Sequence, residues 1–254
     1  MVMTNAVNDN RKHSGKVLPR VKKPGLSVPG HAFPKGPDDG GGLVLAHAQV
    51  RIIYWGTVWG ANAALRNQID GAAKSILSSN YVTALSEYRP NIGAGAVVGS
   101  QIYAVGGGPT NNFTDDDVKG VLRQMIGAEL LPEPIDDQHL FLVVTPPKIS
   151  VDGTWGEHWY FPYDCRDGKQ RTVHYGWVTG ASNFQIGDYS CTLAHELVES
   201  ITDPEMDAIT FASCPGVTGT CEIGDVCSQC YTLDDGTVVQ NWYSKKQGAC
   251  LALT

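Results

Sequence analysis

The sequence predicts a mixed α/β domain of the α+β kind, and three observations carry that prediction. Short β-branched and aromatic runs alternate with helix-period segments between residues 43 and 204. Beyond residue 204 the pattern changes to turns and loops, and five of the seven cysteines lie in the last 41 residues. The chain has 254 residues, 42% hydrophobic and 18% charged, enough for one continuous core. No run of 18 apolar residues occurs, which argues against a membrane-spanning helix. Nineteen basic against 26 acidic residues give a net charge of −7, which argues against a nucleic-acid partner.

Residues 1–42 read as a basic, flexible leader or pro-segment, and 43–254 as a single domain. Residues 1–36 hold seven Lys or Arg and one acid, few large apolar side chains and no signal-like apolar core. The run LVLAHAQVRIIYW at 43–55 reads as a buried strand. A helix is expected over about 61–79, since Leu65, Ile69, Ala73, Ile76 and Leu77 fall on one face. Tyr81–Tyr88 suggests a short second helix stopped by Pro90, and Ala96–Val105 a strand that ends in Gly106-Gly107-Gly108. Thr114 is a good N-cap for the next helix, so Asp115, Asp116 and Asp117 read as first-turn acids that complement the helix dipole rather than as a calcium site. Leu140–Thr145 and Arg171–Val178 complete the strands. The aromatic cluster Trp155, Trp159, Tyr160, Phe161 and Tyr163 suits either a cleft that binds sugar or simple packing.

Cys165, Cys191, Cys214, Cys221, Cys227, Cys230 and Cys250 are better explained as disulfides that staple a loop-rich lobe than as a zinc ribbon. A lone C-x-x-C at 227–230 has no second pair at matching spacing. Disulfides imply an oxidising, extracellular setting, and an odd count leaves at least one thiol free or paired between chains.

The chemically informative segment is SCTLAHELVESITDP at 190–204. Leu193, Leu197 and Ile201 recur every four residues, Ser190 can cap the start, and Pro204 stops the helix. His195 and Glu199 then project together, Asp203 follows one turn on, and Glu196 sits about 100° round from His195. This is the geometry of the H-E-x-x-H zinc hydrolases, with Glu in place of the second His. Acids at 196, 199 and 203 repel, and no Lys or Arg lies between Arg171 and Lys245 to offset them, so a cation is the natural compensation. Glu222 can supply a third metal ligand and Asp225 can hold the free ring nitrogen of His195, or the two can exchange roles. His158 and His174 are alternative ligands, and His174 lies on a strand that could run beside the helix. Tyr175 and Tyr243 are candidate oxyanion donors. No G-x-S-x-G elbow, P-loop or well-placed G-x-G-x-x-G is present; two-carboxylate glycoside hydrolysis by Glu196 and Glu222 is a remote alternative.

The order of motifs resembles the bacterial relatives of the plant EXORDIUM, or phosphate-induced, protein family. The matching pieces are IIYWG at 52–56, SSNYVTALSEY at 78–88, FLVVTPP at 141–147, VHYGWV at 173–178, AHELVESITDP at 194–204, EIGDVC at 222–227 and QNWYSKKQGAC at 240–250. The resemblance implies a secreted protein with a zincin-like fold, roles for His195, Glu196, Glu199, Asp203, Glu222 and Asp225, and a Cys227–Cys250 pair.

The expectation is a zinc-dependent metallohydrolase, an endopeptidase acting on protein or peptide. Zn²⁺ would be held by His195, Glu199 and Glu222, and Glu196 would take the proton of the attacking water. One neutral His and two carboxylates cancel the metal charge, so peptidase activity is expected to be slow or restricted. The rival expectation is a secreted, non-catalytic EXORDIUM-like binding or signalling protein, with a structural cation such as Ca²⁺ and possible carbohydrate contacts.

Overall fold

The computed structural model describes residues 36–149, 154–180, 185–213 and 220–251. Along β2 (Gln49–Trp55) side chains alternate between two covered faces, Ile52 and Tyr54 to one side, Ile53 and Trp55 to the other. A strand covered on both faces needs a continuous apolar run, which is how IIYW reads. β4 (His139–Val144) repeats the pattern and is buried along its whole length. With β3 (Ala96–Tyr103), β5 (Gly156–Asp164) and β6 (Gln170–Val178) these form a five-stranded sheet in the order β3-β2-β4-β6-β5. The first four strands are parallel, and β5 alone is antiparallel, at the edge.

One face is packed by α1 (Ala63–Ser78) and α4 (Ile186–Thr202), through residues such as Leu65, Ile69, Leu193 and Leu197. The short helix α2 (Asn80–Thr83) adds Tyr81 and Val82 to this side. The other face is covered by α3 (Asp115–Gly127), whose Val118, Leu122, Met125 and Ile126 meet Phe141, Val143, Tyr175 and Trp177. Thr114 caps α3: its hydroxyl accepts from Asp117 N at 3.2 Å, and the Asp117 carboxylate accepts from Thr114 N at 2.7 Å. The acidic triplet therefore ends in capping and pairing, with Lys119 Nζ 2.6 Å from Asp115.

The first strand is shorter than its sequence suggests, because residues 43–48 form the approach to β2 rather than part of it. The helix α4 begins at Ile186, one turn before Ser190; Gln185 occupies the cap position with no side-chain hydrogen bond, so Ser190 is interior. The fold also contains a strand over GEHWYFPYD, where the aromatic composition suggests only a cluster. Residues 36–42 run beside the domain, with Pro37 buried and 38–41 exposed. β1 (Asp38–Asp39) pairs with β7 (Ile209–Thr210), Gly40 N donates to Ala208 O, and Arg89 clamps Asp39. The rest of the basic leader lies outside the described residues.

After α4 the chain forms small antiparallel pairs: β8 (Cys230–Thr232) with β9 (Val238–Gln240), and β10 (Tyr243–Ser244) with β11 (Ala249–Cys250). Cys191–Cys230 ties the first hairpin to α4, and Cys227–Cys250 ties the lobe to its last strand. Cys221 is disulfide-bonded as well, and among the described residues Cys165 is a buried free thiol. Cys214 lies outside the described residues.

Candidate metal centre

The site forms where α4, the edge strand β5 and the 222–225 turn converge. On α4, His195, Glu196, Glu199 and Asp203 are 0–4% exposed. They are the polar side of a helix whose remaining sides are already committed to the core. β5 contributes His158, which sits opposite Gly176 on the α4 side of the sheet. The turn contributes Glu222 and Asp225, and Asp225 fixes the turn by accepting from Glu222 N at 3.0 Å.

Two sets of ligating atoms converge to within 4.8 Å, and Glu199 belongs to both: His195, Glu199 and Asp225 form one, His158, Glu196 and Glu199 the other. In the first set His195 Nε2 is 3.1 Å from Glu199 Oε2 and 3.9 Å from Asp225 Oδ1. Glu222 belongs to neither set; its Oε1 lies 3.4 Å from His158 Nε2. Asp225 faces Nε2 of His195, not the other ring nitrogen. That nitrogen, Nδ1, is met by Gln240 Nε2 at 2.8 Å, and the same amide reaches the carbonyls of Gly224 and Cys227 at 3.1 and 2.6 Å. Gln240 carries no charge and belongs to no ligand motif, so the sequence offers no signal for it.

Other expected residues sit elsewhere. Tyr175 points to the opposite face of the sheet, where its hydroxyl donates to Asp115; one strand position separates the two faces. His174 is on the α4 face but pairs with Glu205 at 2.9 Å, on a strand one removed from the edge. Tyr243 is buried in the lobe, edge-on to Phe211. His158 occupies the position beside the helix that the sequence suggests for His174.

The residues present fit a bound cation. Buried polar atoms without a hydrogen-bond partner include His195 Nε2, both oxygens of Glu196, Glu199 Oε1, Asp203 Oδ2 and Glu222 Oε1. Leaving each such atom unmatched costs about 1–3 kcal/mol, more for a charged group. His195 Nε2 and Glu199 Oε2 are near one another without hydrogen-bond alignment, as two ligands of one centre would be. Two glycines leave the space: a Cβ on Gly224 would lie 2.7 Å from Glu199 Oε1 and 2.9 Å from His195 Nδ1, and one on Gly156 would lie 2.5 Å from Glu196 Oε1.

The electrostatics agree. Burial opposes charge on His195, yet Glu199, Glu196 and Asp225 outweigh it and raise the imidazole to about 10. Burial likewise opposes charge on His158, and Glu222, Glu196 and Glu199 overcome it and push that ring well above its ordinary value. Burial pushes Glu222 up to about 7 and raises Glu199 well above the usual carboxylate range. A field that holds two buried imidazoles protonated is one that favours a positive ion. The described ion pairs of these groups are all with one another, and none involves Lys or Arg.

No protein-family model matches this chain, and no curated protein matches it either. Among the described residues no helix is long and apolar enough to cross a membrane.

Proposed function

We propose that this chain is a zinc-dependent metallohydrolase of zincin-like, EXORDIUM-like type, acting as an endopeptidase. The observation that carries the reading is the Glu196 carboxylate, 1% exposed and without a hydrogen-bond partner on either oxygen, one residue from His195 at the ligand cluster. His195, Glu199 and Asp225 are the ligands, with Asp225 in the place that the sequence suggests for Glu222. Zinc bound there supplies Lewis acidity and lowers the pKa of water to near neutrality. Glu196 accepts the proton of the attacking water at its carboxylate and returns it to the leaving amine. Burial keeps that carboxylate out of bulk water, where its hydration would compete with the proton transfer.

Substrate class follows from β5. It is the outer strand of the sheet beside α4, so its outward N–H and C=O groups suit an extended peptide laid alongside the site. The disulfides suit an oxidising, extracellular destination. One observation favours a second reading. His158, His195, Glu199 and Glu222 are only 1–6% exposed, which suits a purely structural cation in a secreted binding protein.

Glu196→Gln separates the two. In the hydrolase, peptide cleavage by the zinc-loaded variant falls at least about 10²-fold while the zinc held by His195, Glu199 and Asp225, measured by elemental analysis, is retained. Unchanged cleavage with zinc retained would sink the mechanism, and absence of cleavage in the zinc-loaded wild type over a broad peptide library would support the structural cation.

A further inference from the structure

We infer that the cluster holds two divalent cations rather than one, the second bound by His158 Nδ1, Glu196 Oε2 and Glu199 Oε2, with Glu199 shared between them. This rests on the zinc reading but adds a site that a single-zinc hydrolase does not have. The first observation is tautomeric. His158 Nε2 lies 3.3 Å from the main-chain carbonyl of Asp203, which can only accept, so the ring proton belongs on Nε2. With Nε2 keeping its proton toward that carbonyl, Nδ1 is the nitrogen at which a cation can replace the second proton, and it faces Glu196 Oε2 at 3.6 Å and Glu199 Oε2 at 3.8 Å. An imidazole fixed by a carbonyl on one nitrogen with carboxylates before the other is how a metal-ligating histidine is held.

The second observation is the set of unpartnered atoms. Glu196 is 1% exposed and neither of its oxygens has a hydrogen-bond partner, so a buried carboxylate is aimed at this position with only the His158 ring, 3.6 Å away, before it. One cation at His195, Glu199 and Asp225 balances two carboxylates and leaves Glu196, Glu222 and Asp203 buried around a single imidazole. A second divalent ion beside His158 balances two of these. Glu222 Oε1, without a hydrogen-bond partner and 3.4 Å from His158 Nε2, lies beside the other ring nitrogen and is not a ligand of this ion. Glu196 uses Oε2 for the ion and keeps Oε1, beside Gly156, for the proton. Imidazole together with carboxylate suits Zn²⁺, Mn²⁺ or Fe²⁺ better than Ca²⁺. Two ions joined by one carboxylate are also the arrangement that clamps both the attacking and the leaving atoms in hydrolysis.

The test is metal stoichiometry on full-length protein, purified without a metal-affinity tag, saturated with Zn²⁺, desalted and analysed by plasma mass spectrometry. The expected result is two zinc ions per chain in the wild type, one in His158→Ala, one in His195→Ala and none in Glu199→Gln. Far-ultraviolet circular dichroism checks that each variant is folded, and the wild-type count stands without them. One zinc per chain, unchanged in His158→Ala and lost in His195→Ala, would overturn the second site and leave the zinc reading intact. Two zinc ions retained in His158→Ala would overturn the assignment of the second ion to His158. No zinc in the wild type would overturn both.

Discussion

At the residue scale, function depends on space as much as on ligands. Gly224 and Gly156 are small because Glu199, His195 and Glu196 occupy the volume a side chain would need. Gly224→Ala forces its methyl group against Glu199 and His195, at an overpacking cost of about 1–3 kcal/mol. The expected outcome is weaker zinc binding by roughly tenfold or more, measured by competition with a chromophoric chelator. Wild-type affinity in this variant would show that the turn moves freely and that the cradle is not built. The role of these glycines is not legible in the sequence, since their neighbours come from other parts of the chain. The i, i+4 relation of His195 and Glu199 is legible because a helix fixes it locally. His158 lies between these cases: a histidine on a strand without a clear pattern has no neighbours until the sheet forms. Gln240, a neutral amide on a three-residue strand, gives no signal at all.

At the scale of elements, the two packed faces of the sheet explain which parts of the sequence could be read. β4 is an almost wholly apolar run and β6 is buried from Val173 onward because helices cover both sides, and α1 and α4 show one apolar face each. β5 is an edge strand with irregular burial, so its sequence lacks alternation. The lobe beyond α4 consists of strands two or three residues long, which cannot show periodicity and depend on staples. Cys191–Cys230 closes a separation of 39 residues and holds the β8–β9 hairpin, with Gln240, against His195. Replacing both cysteines by Ser is expected to lower stability by about 2–4 kcal/mol in urea denaturation and to weaken zinc binding as well. Lost stability with unchanged zinc affinity would show that the hairpin does not position His195. The β1 strap makes a pH prediction. The Arg89 hydrogen bond holds Asp39 below the usual carboxylate range, so this contribution is present above about pH 3.9 and is lost as pH falls through the lower folded value. Asp39 is 44% exposed, so screening limits the pair to under about 1 kcal/mol. Asp39→Asn should remove that part of the acid limb in melts between about pH 2 and 5, and an acid limb unchanged in this variant would show that the Arg89 pair does not contribute.

At the scale of the whole molecule, the central fact is that the buried carboxylates among the described residues of this acidic chain, of net charge −7, all lie in one place. Surface carboxylates are solvated at no cost, but Glu196, Glu199, Asp203 and Glu222 are 0–6% exposed and have no Lys or Arg among their described ion pairs. Without a cation the fold must hold protons there instead, and the raised values of His195, His158 and Glu222 describe that state. Metal binding is then part of folding stability, because an unfolded chain offers no such convergent set of ligands. At free zinc about 100 to 1,000 times the dissociation constant the stabilisation is about 2.7–4.1 kcal/mol. For a domain of this size that corresponds to a rise in Tm of roughly 5–15 °C. Scanning calorimetry with and without a strong chelator should show that difference, together with a dependence of Tm on free zinc. Calcium at equal activity should give far less if imidazole contributes to binding, and His195→Ala should flatten the zinc dependence more than the calcium one. A Tm indifferent to chelator and to added zinc would mean that protons alone neutralise the cluster, and the helix motif would then be a structural feature of the core.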